Sequence, residues 1–111
     1  MTVKCHLIKL KPGSLDRVRE WASEINARRE EALQTLSDEG VTIESVFFMQ
    51  NSDGDFLVYY MRAKDFEHAK QVVEKSVHSI DAYHQKFKKD TWESGKPLET
   101  LIDLNLNELS S

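Results

Sequence analysis

His84 stands with Tyr83 and Phe87 on the apolar side of a short helical pattern, SIDAYHQKF. An imidazole buried there stays neutral and can serve as a base or a hydrogen-bond donor near neutral pH, or it can bond a backbone carbonyl as plain core. Arg29 falls on the stripe Leu15, Val18, Ala22, Ile25, Ala32 and Leu36, whose steps of three and four would be unbroken with an apolar residue at 29. A guanidinium taken out of water is costly unless it meets a carboxylate or a bound anion. Glu44, Glu99 and Asp103 are candidate acids, a snorkelling side chain is the plainer alternative, and Arg28 takes the position if the helix is slightly rotated. His78, just before Ser79 at an expected helix break, either faces a cavity or stands exposed in a loop. Tyr60, with Tyr59, Trp21 and Trp92, offers aromatic walls for a pocket, or simply core. The candidate ligand-binding set is Arg29, His84, Tyr60 and His78, with His84 the candidate catalytic residue.

Other chemistry is poorly served. His78 and His84 are six apart and do not share a helical face, and His6 and His68 lack a Cys, Asp or Glu at a recognised ligand spacing, so neither a metal nor haem is expected and no cofactor is assigned. Cys5, between Lys4 and His6 in an apolar run, reads as a small core residue, and a single cysteine makes no internal disulfide. Nucleophile elbow, P-loop and dinucleotide fingerprint are all absent, so an enzyme here would combine residues distant in sequence.

These residues must be positioned by one modest core, because 111 residues suffice for a single domain. Apolar residues make up 40% and charged residues 31%, an ordinary balance for a folded soluble chain. Fifteen basic against nineteen acidic residues leave a net charge of -4 with no basic stripe, which argues against a nucleic-acid partner. No apolar run approaches the roughly 20 residues of a membrane span, and Met1-Thr2-Val3-Lys4 opens straight into strand pattern, so neither a membrane nor export is expected and the cytoplasm is the expected location.

The elements run strand, helix, strand, strand, helix, strand. Val3 to Leu10 is the first strand, stopped by Pro12-Gly13; Ser14 as N-cap and Gly40 as C-terminal stop bound one long helix. Val41 to Gln50 and Phe56 to Arg62 form a hairpin around Asn51–Asp55, whose Asp-Gly pair suits a tight turn. Asp65 caps a helix with Phe66, Ala69, Val72 and Val73 inward, which breaks near Ser76 to His78 before Ser79 caps a second segment carrying Ile80, Tyr83, His84 and Phe87. After a polar loop from Asp90 to Lys96, Pro97 opens a last strand with Leu98, Ile102, Leu104 and Leu106. The domain is expected over residues 1–106 and a frayed tail over 107–111. This order predicts an α+β, ferredoxin-like β-α-β-β-α-β fold with one antiparallel sheet.

Helices cover one face of such a sheet. Val41, Ile43, Phe47 and Met49 occupy one alternation set of the hairpin and Val46 and Phe48 the other, while Phe56, Val58 and Tyr60 alternate with Leu57, Tyr59 and Met61. A strand apolar on both sides is covered on both sides. A second copy of the chain is the simplest cover, predicting a homodimer; the alternative is a monomer whose C-terminal segment folds across that face.

The order of elements, with the segments KLKPGSLDRVREW, DGDFLVYYMRAKDFE and HSIDAYHQKFKKDTW, resembles a small uncharacterised bacterial family of domain-of-unknown-function type, over nearly the whole chain. That family is similar in fold to the dimeric α+β barrel superfamily, which includes monooxygenases of the antibiotic-biosynthesis type, haem-degrading enzymes, isomerases and proteins without known activity. The resemblance implies fold and dimer, and no catalytic motif of the superfamily can be placed here residue by residue. Three functions follow as expectations: a dimeric binding or accessory domain taking a small anionic or aromatic ligand between sheet and helices; a cofactor-independent monooxygenase- or isomerase-like enzyme with His84 as base and Arg29 as anion anchor; or a structural dimer with no site.

Overall fold

The computed structural model describes residues 1–108 and is an α+β domain with one four-stranded antiparallel sheet. The strands are β1 (Thr2–Leu10), β2 (Val41–Asn51), β3 (Gly54–Ala63) and β4 (Trp92–Pro97), in the order β2-β3-β1-β4. The helices are α1 (Leu15–Ala27), α2 (Arg29–Glu39), α3 (Phe66–Glu74) and α4 (Ser79–Thr91). The ferredoxin-like arrangement is thus the observed one.

The hairpin closes as its sequence dictates. Asn51 pairs with Gly54 across the two-residue turn Ser52-Asp53; Gly54 adopts φ 131°, which only glycine tolerates well, and the Asn51 side-chain oxygen accepts from the Asp53 N–H at 2.8 Å. Gly40, at φ 74°, ends α2, and Asp65 caps α3 by accepting from the N–H groups of Glu67 and His68. Ser14 and Ser79 are not side-chain caps: the Ser14 hydroxyl donates to the Lys11 carbonyl, and Ser79 is already the first residue of α4.

Two expectations need correction. The long helix is two helices, because Arg28 leaves helical geometry (φ −103°, ψ 37°) and its guanidinium donates to Glu31 and to the Ser79 hydroxyl of α4. The break lets α1 pack with α4 while α2 packs with α3 and β2. The last strand is Trp92–Pro97, the segment expected as a loop, while the apolar run from Leu98 onward is not strand. Backbone pairing with the free edge of β1 needs no apolar side chains: Ile8 opposes Gly95, whose missing side chain leaves room for Ile8, and Leu10 opposes Trp92. Pro97, without an N–H, closes the strand, and of the tail expected over 107–111, residues 107 and 108 belong to a short 3₁₀ turn that starts at Leu106 while 109–111 lie outside the described residues.

The main core joins Ile8, Leu10, Leu57 and Tyr59 of the sheet to Val18, Trp21 and Phe87 of α1 and α4. On the opposite face, residues 98–103 cross over Val3, Cys5 and Tyr60, and Asp103 pairs with the buried guanidinium of Arg62. This strap leaves the β2 edge open. Ile43, Phe47 and Met49 remain 43%, 60% and 38% exposed. Phe48 pairs with Leu57 and so belongs to the helix-covered face.

Candidate functional site

Between the helices and the sheet lies a cavity of about 970 Å³, and the break between α1 and α2 sits on its rim with Arg29. Strand alternation brings His6, Tyr59 and Val46 side by side across three strands on its floor, since His6 and Val46 both oppose Tyr59. Glu44, two residues before Val46, shares that face. From above, α1 contributes Trp21 and Ile25, α2 contributes Glu39 at its last turn, and α4 contributes Asp81, His84 and Lys88. The spacing of three and four along α4 puts those three side chains on one face.

The inner end is aromatic. Trp21 stacks on Phe87 with ring centres 4.3 Å apart and on His84 at 5.7 Å, and Tyr59 meets Trp92 edge-on at 5.2 Å. The Trp21 indole N–H donates to Nδ1 of His84 at 3.1 Å. Burial, reinforced by nearby Lys88, holds His84 down to about 4, so the ring is neutral at physiological pH. His6 is also held below the usual imidazole range, by burial and then by Lys4. The Tyr59 hydroxyl and the Trp92 indole nitrogen are buried without a hydrogen-bond partner.

The rest of the lining is charged, with carboxyls and basic side chains interspersed. Glu39 titrates near 7, first because it is partly buried and then because Asp81, Glu44 and Asp38 repel its charge. Glu44 is open to the cavity yet surrounded by protein, which raises its carboxyl above the usual range, with Lys88 opposing the rise. Burial lowers the Lys88 ammonium and Glu44 supports it, and the same ammonium lies 4.7 Å from the Trp92 ring centre. Burial, and then the Glu44 charge, push the Tyr59 phenol well up, so it stays protonated. The cavity therefore sets a carboxyl that is half protonated at neutral pH near a second carboxyl, a lysine and neutral donors, a combination fitted to give and take protons. Among the described residues, no group of three His, Cys, Asp or Glu is placed to hold a metal ion, and no helix is long and apolar enough to cross a membrane.

Of the four candidates, His84 and Arg29 line this one cavity. Arg29 is exposed there, at the first position of α2 and on the same side of that helix as Ala32 and Leu36, which line the open cavity with it. The buried arginine answered by Asp103 is Arg62. Tyr60 lies on the opposite sheet face, its hydroxyl accepting from Nε of Arg62 at 2.6 Å, and so does not join His84. His78 is exposed at the α3–α4 break and pairs with Asp38 at 3.1 Å. The sequence reading missed Glu39 and Lys88 and saw Glu44 only as an acid for Arg29. Lys88 follows His84 by four, and Glu44 shares the alternation of Val46 and Phe48, so both were legible as polar residues on covered faces.

A family model described as a family of unknown function, DUF6176, matches residues 1–108, and the chain belongs to that family. No curated protein sequence matches it. Among solved structures, the chain is similar to an L-rhamnose mutarotase from Formosa agariphila, at 16% identity and a TM-score of 0.65, over 95% of this chain and 100% of the other. At that identity the likeness is one of fold, the dimeric α+β barrel type.

Proposed function

We propose that this member of the family is a dimeric isomerase acting by proton transfer on a small, neutral, sugar-like molecule held between sheet and helices. The observation that carries the reading is the pairing of Glu39, poised near 7, with Glu44, supported as a carboxylate by Lys88, in one cavity beside an aromatic wall. Aromatic faces suit the apolar side of a sugar ring, and the carboxyls of Glu39 and Glu44 disfavour an anion placed beside them. The likeness to a mutarotase supports the class of reaction without assigning a substrate.

For a cyclic hemiacetal the steps balance as follows. Glu44 removes the proton of the anomeric hydroxyl, that O–H electron pair forms the carbonyl, the bond from the anomeric carbon to the ring oxygen breaks, and Glu39 delivers its proton to the ring oxygen. After rotation about the next carbon–carbon bond the reverse transfers close the ring in the other anomeric form and restore both carboxyls. His84, whose Nδ1 is occupied by Trp21, is a donor in this scheme and not the base first expected of it.

The dimer rests on Ile43, Phe47 and Met49, an exposed apolar strip on β2 that the C-terminal strap does not reach and that a second copy would cover. The test is anomeric exchange by NMR saturation transfer, with L-rhamnose, D-galactose and D-glucose as probes. Faster exchange of at least one sugar with enzyme present is expected. A second reading, binding without turnover, is favoured by the neutral, tied-up His84; ligand binding with no exchange would establish it, and neither binding nor exchange would sink both.

A further inference from the structure

We infer that Trp21 is a positioning residue that locks His84 as an Nε2–H donor aimed at an uncharged ligand oxygen. An indole N–H can only donate, so the 3.1 Å contact makes Nδ1 of His84 the acceptor and leaves the ring hydrogen on Nε2. Adding a second hydrogen would place it against the indole N–H and cost that hydrogen bond, so geometry opposes the imidazolium in addition to burial. The ring has little freedom to flip, since Trp21 stacks on it and both Phe87 and Tyr59 pack beside it at 6.3 and 6.4 Å. His84 lines the cavity.

A second observation points the same way. The Tyr59 hydroxyl is buried without a partner on a residue only 5% exposed, and the Trp92 nitrogen next to it is unpartnered too. Buried polar atoms are seldom left unpaired in a finished structure, and an occupant supplying an acceptor oxygen would satisfy them. That oxygen is uncharged, a carbonyl, ether or hydroxyl. A carboxylate or phosphate would stand near Glu44, whose charge reaches Tyr59 and already answers the Lys88 ammonium beside Trp92. This rests on the proposed ligand site but not on the reaction proposed for it.

The test reads the imidazole directly, by long-range ¹H–¹⁵N correlation on the full-length protein from pH 5 to 9. In wild type, His84 should show a protonated Nε2, a bare Nδ1 and no titration; a proton on Nδ1, or a ring charged at pH 6, overturns the inference whether or not the protein turns over sugar. In Trp21→Phe the ring should become a mixture of tautomers, with an Nδ1–H population that wild type lacks; a ring still wholly Nε2-protonated in that variant would remove Trp21 from the role. If that variant does not fold, His84→Gln and His84→Leu replace it. Glutamine keeps a side-chain donor and should retain affinity for any neutral sugar bound by wild type, whereas leucine should weaken it roughly tenfold or more. Equal loss in both variants, or tighter wild-type binding of D-galacturonate than of D-galactose, would contradict the uncharged acceptor.

Discussion

Replacing Glu39 by glutamine should stabilise the protein at pH 8 and leave it nearly unchanged at pH 4.5. The carboxyl titrates near 7 in the fold instead of at its ordinary 4.5. At 1.36 kcal/mol per pH unit, that displacement corresponds to at most about 3 kcal/mol. Glu39 is only partly buried, so solvent screening reduces the figure to about 1–2 kcal/mol. The sign follows from linkage. Folding favours the protonated acid, so the stability tied to Glu39 is fully present below 4.5 and is lost as pH rises through 7. Glutamine mimics the protonated form at every pH and escapes the loss. Urea denaturation of wild type and Glu39→Gln at pH 4.5 and 8 measures the difference, which includes the relief of Glu44 and Asp81 from the Glu39 charge, while titratable groups remote from Glu39 cancel in the comparison. A stability gain that is equal at the two pH values, or a loss at pH 8, would refute the claim that this cavity holds Glu39 as a weak acid.

Other outcomes follow from the same structure. Phe47→Asp puts a charge on the open strip of the second sheet face and should convert a dimer to a monomer by light scattering, while a wild-type monomer at all concentrations would remove the assembly argument. Asp103→Ala should lower the melting temperature clearly more than Arg29→Met, which should stay within about 0.5 kcal/mol of wild type, because the arginine in need of an acid is the buried Arg62. Melts of the two variants side by side decide between those positions.

Strand alternation, the Asp-Gly turn, the Asp65 cap and Gly40 carried the element order and the fold class into view from the sequence, because each is a local backbone requirement that tertiary packing only reinforces. The two errors arose where local signals were overruled. Helical periodicity runs through Arg28 without a glycine or proline to interrupt it, and only the contact from Arg28 to Ser79 of α4 marks the break. The polar segment Trp92–Pro97 became strand because the edge of β1 pairs with backbone, whereas the more apolar Leu98–Leu106 leaves that edge after one bond, from the Leu98 N–H to the Cys5 carbonyl. Half of the site was similarly hidden. His84 was visible as a histidine on an apolar face and Glu44 as a carboxyl in the alternation of Val46 and Phe48, but Glu39 looks like any surface glutamate until the fold places Asp81, Glu44 and the cavity wall around it. Tyr60 was chosen over Tyr59 because both alternation sets of β3 are apolar, and nothing in the strand itself says which set meets the helices.

The central claim is that Glu39 and Glu44 pass a proton to and from a bound neutral sugar. Its most direct measurement is the enzyme-dependent anomeric exchange rate of the best sugar probe for wild type, Glu39→Gln and Glu44→Gln, at equal ligand saturation and across pH 5 to 9. Each variant should lose roughly 10²–10⁴-fold in rate while still binding the sugar, and the wild-type limb near pH 7 should vanish in Glu39→Gln. Exchange at the wild-type rate in both variants would place the chemistry, if there is any, elsewhere in the molecule.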